Sequence, residues 1–204
     1  MSAPRALTRR AAALVGAICQ VLACWSVLAI GALCEAPLFA CFSICCLLTL
    51  PGPRRFSWAP GAAWRARWAA LAGATLLGAL ACRWALLGPG APGGDPPAAS
   101  DLAAVVLLAP LFEERLYRGV LLRELVGCVG VPAAVVLTAA LFAASHLTWP
   151  AIPWTFAAGL LLGGLRAAGA DLTTLVGLHA WANASLNVVR GPYFPFFPLM
   201  TGEH

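Results

Sequence analysis

The chain has 204 residues, of which 61% are hydrophobic and only 10% are charged, whereas soluble domains average about 25% charged residues. This composition excludes an ordinary soluble domain, and the long apolar runs indicate a polytopic helical membrane protein. The net charge of +5 is the balance of 13 arginines, with no lysine, against 8 acidic residues. Because these arginines lie where apolar runs end, the charge does not indicate nucleic-acid binding.

In chain order, the apolar runs predict an all-α transmembrane bundle of about seven membrane helices, within a range of six to eight. The predicted helices span residues 11–33, 36–50, 69–87, 102–126, 132–146, 153–168 and 172–189. Pro/Gly-rich segments separate the second, third and fourth helices, since proline cannot continue a helix. The aromatic and proline-rich tail at 192–198 predicts an interfacial segment that is not regular helix.

The arginine distribution predicts the orientation of the bundle. Arginines near the N-terminus and in the loop at 54–67 place these regions inside, together with Arg123 and Arg166. The loops that hold Glu35 and Asp95 then lie outside, which makes the N-terminus cytoplasmic. The eight cysteines lie mostly in apolar runs without the spacing of a metal site, so packing is their expected role.

The fourth predicted helix carries two adjacent acids, Glu113 and Glu114, in an otherwise apolar run. A carboxylate at bilayer depth costs several kcal/mol unless it is paired or neutralised. Glu114 and Arg118 are four residues apart, so they share a helix face and can pair. Glu113 points about 100° away and has no such partner in its own helix. We therefore expect Glu114 to be clamped by Arg118, and Glu113 to be available for chemistry.

The same spacing of four residues recurs on two later helices. It joins Phe142 to His146 on the fifth helix and His179 to Asn183 on the seventh. Phe142 is expected to pack, whereas an imidazole beside an amide offers two donors to a developing oxyanion. A single polar group of this kind would ordinarily form a hydrogen bond between two helices. Their joint occurrence on three apolar helices indicates a functional site.

These residues resemble the three motifs of the CAAX-protease and bacteriocin-processing (CPBP, also called Abi) superfamily. The motifs read Glu113-Glu114-x-x-x-Arg118, Phe142-x-x-x-His146 and His179-x-x-x-Asn183. Members of the family, which include the Ras-converting CAAX endopeptidase, are glutamate-type intramembrane endopeptidases. The resemblance covers about residues 102–189. It divides one integral membrane domain, 1–204, into N-terminal helices without diagnostic motifs, 1–100, and catalytic core helices, 101–190.

The resemblance implies a role for each motif residue and no metal or cofactor. Glu113 and His146 would activate a water molecule. His179 and Asn183 would hold the oxyanion of the tetrahedral intermediate, and the other two residues of the first motif would support the site. The implied substrate is a membrane-anchored peptide or protein tail, such as a prenylated tail, a leader peptide or a C-terminal sorting signal. The compact size and composition favour a bacterial inner membrane.

Two alternatives remain open at the level of sequence. Glu113, His146 and His179 could together bind zinc in a membrane metalloprotease. The chain could also be a non-enzymatic immunity or scaffold protein, or a small transporter that uses the acids as a proton relay. One geometric conflict accompanies all these readings. By residue count, Glu113 lies near mid-membrane and His146 near the outer end of its helix. Because the site residues must meet, the fifth helix starts deeper, tilts, or has different bounds.

Overall fold

The computed structural model of the chain describes residues 3–50, 73–74, 77–78, 99–146 and 152–190. This part of the chain is helical apart from short turns and contains no strand, which confirms the all-α prediction. We number its helices α1 to α6. They are α1 (Ala3–Leu33), α2 (Leu38–Leu48), α3 (residues 99–129), α4 (Val131–Ala144), α5 (Ile152–Ala167) and α6 (Leu172–Arg190).

The predicted bounds of the described helices agree with these bounds to within a few residues at most ends. The largest difference is at the start of α1, which begins eight residues before the predicted run. The predicted third helix lies outside the described residues except for 73–74 and 77–78, which are helical. The loop of arginines at 54–67, the Asp95 loop and the aromatic tail at 192–198 also lie outside them.

The predicted count of seven membrane spans is not confirmed. Among the described residues, one helix, Arg10–Leu33, is long and apolar enough to cross a bilayer by itself. Only 17% of its most apolar window is buried in the protein, so it is not the core helix of a soluble fold. Leu38–Leu48 and Val131–Ala144 are apolar but shorter, and at about 1.5 Å per residue they fall short of a hydrocarbon core about 30 Å thick.

Helix α3 is not a uniform α-helix. It alternates between α and π geometry over the segments Ala99–Ala103 (α), Ala104–Leu108 (π), Ala109–Glu113 (α), Glu114–Leu121 (π) and Leu122–Val129 (α). π-helix is rare and frequently lies at functional sites. The second π segment begins at Glu114, so the change of geometry falls between the two adjacent acids.

A single glycine between α3 and α4 explains how distant motif residues reach the same depth. Gly130 has a φ of +80°, a conformation that L side chains rarely adopt, and it joins the two helices in a tight hairpin. Glu113 lies 17 residues before Gly130, and His146 lies 16 residues after it. Antiparallel helices therefore bring the two residues level. His146 lies in the turn directly after α4, which ends at Ala144, close to the predicted end of this helix at residue 146.

The described side chains form two apolar clusters. The first joins α1, α2, α3 and α4 and includes Phe42, Phe112, Tyr117 and Phe142. The second joins α5 and α6 with Leu77. Between α4 and α5, a Cβ added at Gly159 would lie 2.9 Å from the Ala139 Cα, so this glycine permits a close helix contact. The first cluster packs around Glu113. The close contact between α4 and α5 positions the Gly159 carbonyl beside Arg118.

Candidate active site

The predicted clamp between Glu114 and Arg118 is confirmed. Arg118 Nη1 donates to Glu114 Oε1 at 3.0 Å, and the two side chains are 0–1% exposed. Arg118 Nη2 donates to the Gly159 carbonyl at 3.4 Å, which the close α4–α5 contact makes possible. The guanidinium also lies 4.5 Å from the centre of the Phe142 ring, within the range of a cation–π interaction. The clamp thus ties α3 to α4 and α5.

His179 lies between the two adjacent acids. Its Nδ1 is 2.9 Å from Glu114 Oε1, and its Nε2 is 3.6 Å from Glu113 Oε2. The Glu114 oxygen, already paired with Arg118, accepts, so Nδ1 carries a proton. As expected, Glu113 has no partner within its own helix. Its contact is with His179, which lies on α6. A favourable contact between Nε2 and the Glu113 carboxyl group requires one further proton shared by the two groups.

His146 is oriented by a backbone carbonyl. Its Nδ1 is 2.8 Å from the Phe142 carbonyl oxygen. A carbonyl can only accept, so Nδ1 is the donor, and a neutral His146 ring then carries its lone pair on Nε2. The side chain lies in the turn that follows α4. A fixed tautomer with the lone pair on Nε2 is the form in which a histidine can accept a proton.

Glu113 and His146 line the same cavity. The remaining lining comes from α1, α2, α3 and the turn after α4, and consists of Trp25, Leu28, Phe42, Phe112, Tyr117 and Ser145. About 20 Å³ of this cavity is open to the centre of a water molecule. That volume is enough for one bound water. The cavity therefore combines a carboxyl group, an imidazole and space for a water molecule within mostly apolar walls.

Phe142 lies at the centre of the site. Its ring makes edge contacts with His146 and His179, with ring centres 4.8 Å and 5.7 Å apart. A third edge contact joins it to Tyr117 at 5.4 Å. The ring thus separates the two histidines and keeps them apart at a fixed distance. Packing, the role expected for Phe142, is the role that these contacts support.

Asn183 reaches α3 at the first π segment. Its Nδ2 donates to the Val105 carbonyl at 2.9 Å. In an α-helix this carbonyl would accept from the Ala109 N–H, but that group bonds to Ala104 instead. The next donor along the chain would be Pro110, which has no N–H. The π geometry and the proline together leave the buried Val105 carbonyl without a backbone donor. Asn183 supplies the missing hydrogen bond with one of its two amide hydrogens.

Three residues with hydrogen-bonding side chains at the site were not predicted from the sequence. Trp25, Tyr117 and Ser145 line the cavity; Trp25 donates to Tyr117, and Ser145 donates to the carbonyl that holds His146. Tyr117 follows the acids within the first motif, and Ser145 precedes His146, so proximity in sequence was a usable signal for both. Trp25 lies far away on α1, and nothing in the sequence connects it to the site.

The described residues contain no group of three or more His, Cys, Asp or Glu side chains arranged to hold a metal ion. Glu113, His146 and His179 were the candidate zinc ligands. His179 Nδ1 is engaged with Glu114 and His146 Nδ1 with the Phe142 carbonyl. In the part of the chain that the structure describes, the zinc alternative therefore gains no support from the arrangement of its ligands.

Residues 96–185 match the family model described as type II CAAX prenyl endopeptidase Rce1-like. The matched segment contains all seven motif residues, whereas Trp25 and the rest of α1 and α2 lie outside it. No curated protein and no solved structure matches the chain.

Proposed function

We propose that this chain, which belongs to the CAAX protease and bacteriocin-processing superfamily, is a glutamate-type intramembrane endopeptidase that hydrolyses a peptide bond in a membrane-anchored tail. Membership of this superfamily supports the general assignment of the chain as a membrane protease of the CAAX type. The observation that carries the finer proposal is the cavity shared by Glu113 and His146, which has room for one water molecule.

In the proposed mechanism, the first step is attack by water. Glu113 or His146 Nε2 takes a proton from the water molecule while its oxygen bonds to the scissile carbonyl carbon. Two bases around one water hold it in a single orientation, which lowers the entropic cost of attack. The apolar walls exclude other waters, so the charges in the cavity interact strongly. No covalent acyl-enzyme forms, because water is itself the nucleophile.

His179 and Asn183 are the proposed donors to the oxyanion. Because His179 Nδ1 is engaged with Glu114, donation to the substrate must come from an N–H on Nε2, and the ring is then an imidazolium. The carboxylates of Glu113 and Glu114 together balance the charges of Arg118 and of this imidazolium. Asn183 donates one amide hydrogen to the Val105 carbonyl, and its amide is the proposed second donor to the oxyanion. Donors fixed in advance stabilise the developing charge without reorganisation.

The intermediate collapses when the C–N bond breaks and the leaving nitrogen takes the proton held by Glu113 or His146. The products are a carboxylate and an amine. The proposed substrate is a prenylated tail, a leader peptide or a C-terminal sorting signal. We place the enzyme in a bacterial inner membrane with a cytoplasmic N-terminus, as one integral membrane domain in which residues 101–190 form the catalytic core.

Cleavage by the purified full-length chain tests this proposal. The assay uses a panel of fluorogenic peptides with and without a farnesyl group, incubated with the wild-type chain and Glu113→Gln, each with and without a zinc chelator. We expect cleavage that survives the chelator and is lost in the variant. Loss with the chelator and recovery with added zinc would establish a metalloprotease instead. Equal cleavage by the variant and the wild type would contradict the role of Glu113.

A further inference from the structure

The N-terminal helix contributes a side chain to the candidate active site. Trp25 Nε1 on α1 donates to the Tyr117 hydroxyl at 2.9 Å, across 92 residues of sequence. Both side chains line the cavity that holds Glu113 and His146. Trp25 lies outside the segment that matches the family model, 96–185. No sequence motif connects this helix with the chemistry.

The bond fixes the direction of the Tyr117 hydroxyl. An indole N–H can only donate, so the phenol oxygen accepts, and its own hydrogen is left to donate elsewhere. Ser145 lines the same cavity as Tyr117. The Tyr117 side chain is 1% exposed, and a buried hydroxyl normally keeps a partner. Because Trp25 occupies the phenol oxygen, the Tyr117 hydrogen is available to donate, and Ser145 offers a hydroxyl acceptor on this cavity.

Ser145 is hydrogen-bonded to the Phe142 carbonyl, the group that also holds His146. Its Oγ donates to the Phe142 carbonyl at 2.7 Å, and the same carbonyl accepts from His146 Nδ1 at 2.8 Å. Ser145 Oγ also lies 3.5 Å from His146 Nδ1. Two hydrogen bonds thus have a defined direction at this cavity: the indole donates to the phenol, and the serine donates to the carbonyl that also accepts from the imidazole.

We propose that the Tyr117 hydroxyl donates to Ser145, and that Trp25 and Tyr117 are therefore positioning residues for His146, acting through Ser145 and the Phe142 carbonyl. This inference rests on the proposed function, because it assigns the two residues to the orientation of the general base. In this role they act through other residues and not on the water or on the Glu113 carboxyl group. Their contribution is to keep the Ser145 hydroxyl bonded to the Phe142 carbonyl. The hydroxyl then does not turn to His146 Nδ1 and compete with that carbonyl for the imidazole. Helix α1 is then part of the catalytic apparatus.

A double-mutant cycle on the full-length chain tests the proposal. Trp25→Phe and Tyr117→Phe keep an aromatic ring and remove one hydrogen-bonding group each. We expect each variant to lower kcat between about 10- and 100-fold, with KM within about twofold. The double variant should be no slower than the slower single variant, because both changes break one hydrogen bond. Ser145→Ala, which breaks the chain in the middle, should give a similar loss.

Trp181→Phe is the matched control, because Trp181 lies on α6 outside the cavity and is 45% exposed. It should leave kcat unchanged. Unchanged kcat in Trp25→Phe and Tyr117→Phe, a change in KM alone, or losses that multiply in the double variant would each overturn the inference. Glu113→Gln is assayed beside them. If it is inactive while the aromatic variants are fully active, only this inference fails. If it is fully active, the proposed function fails with it.

Discussion

Glu113 and Glu114 are adjacent, yet their surroundings differ in almost every respect. Glu114 is fully buried and bound by Arg118 and His179 on one oxygen. Glu113 faces a cavity with mostly apolar walls, and its Oε2 lies 3.6 Å from His179 Nε2. The difference supports the proposal that Glu114 builds the site and that Glu113 does the chemistry. Two neighbouring residues of the same type can thus lie in different surroundings.

The largest expected effect comes from the acid on the cavity. Glu113→Gln keeps the size and polarity of the side chain but removes its ability to accept a proton. We expect kcat to fall at least about 1,000-fold, with little change in the midpoint of thermal unfolding. Glu124→Gln, on the same helix but in an exposed pair with Arg123, is the control and should remain active. A variant Glu113→Gln that unfolds early would contradict the contrast with Glu114.

Glu114→Gln should act first on stability. It leaves the buried Arg118 without its counter-charge, which typically costs about 3–5 kcal/mol. Thermal unfolding in detergent measures the loss against Glu124→Gln, for which about 1 kcal/mol or less is expected. The double variant Glu114→Gln/Arg118→Met should regain part of the stability, because it also removes the uncompensated cation. Equal stability of Glu114→Gln and the wild type would show that the clamp is not structural.

Asn183→Ala should affect both activity and stability. It removes a proposed oxyanion donor, for which about 100- to 1,000-fold in kcat is typical. It also leaves the buried Val105 carbonyl unsatisfied, at about 1–3 kcal/mol. Ser185→Ala is the control on the same helix, since its hydroxyl bonds only locally to Trp181. Loss of stability without loss of kcat would restrict Asn183 to the contact with Val105.

The smallest expected effect concerns the close contact between α4 and α5 at Gly159, whose carbonyl accepts from Arg118. A methyl group at Gly159 would meet the Ala139 backbone at 2.9 Å, so Gly159→Ala should separate α4 from α5 and cost about 1–3 kcal/mol. Gly164→Ala is the matched control on α5, because nothing lies within 4 Å of its added Cβ. It should be neutral or stabilising by up to about 1 kcal/mol. Equal melting temperatures for the two variants would contradict the close contact.

The sequence predicts those features that depend on neighbours along one helix. Glu114 and Arg118 share a face of α3 because of their spacing, and the structure pairs them as expected. The glycines, prolines and apolar runs also predict most described helix ends. These features are local, so periodicity and turn chemistry are sufficient to find them.

Contacts between helices could not be predicted in this way. The level of His146 depends on the hairpin at Gly130, and the position of His179 between two acids depends on how α6 packs on α3. The π segments of α3 have no reliable signature in the sequence, although Pro110 marks a place where a carbonyl loses a donor. Trp25 was missed because its partner lies 92 residues away.

A double-mutant cycle of Glu113→Gln and His146→Ala tests the central claim, that these two residues act together on one water molecule. The purified full-length chain is assayed for kcat on the peptide that it cleaves best. We expect a large loss in each single variant and no further loss in the double variant, because residues that act as a unit are not additive. Losses that multiply, or full activity in either single variant, would contradict the shared water.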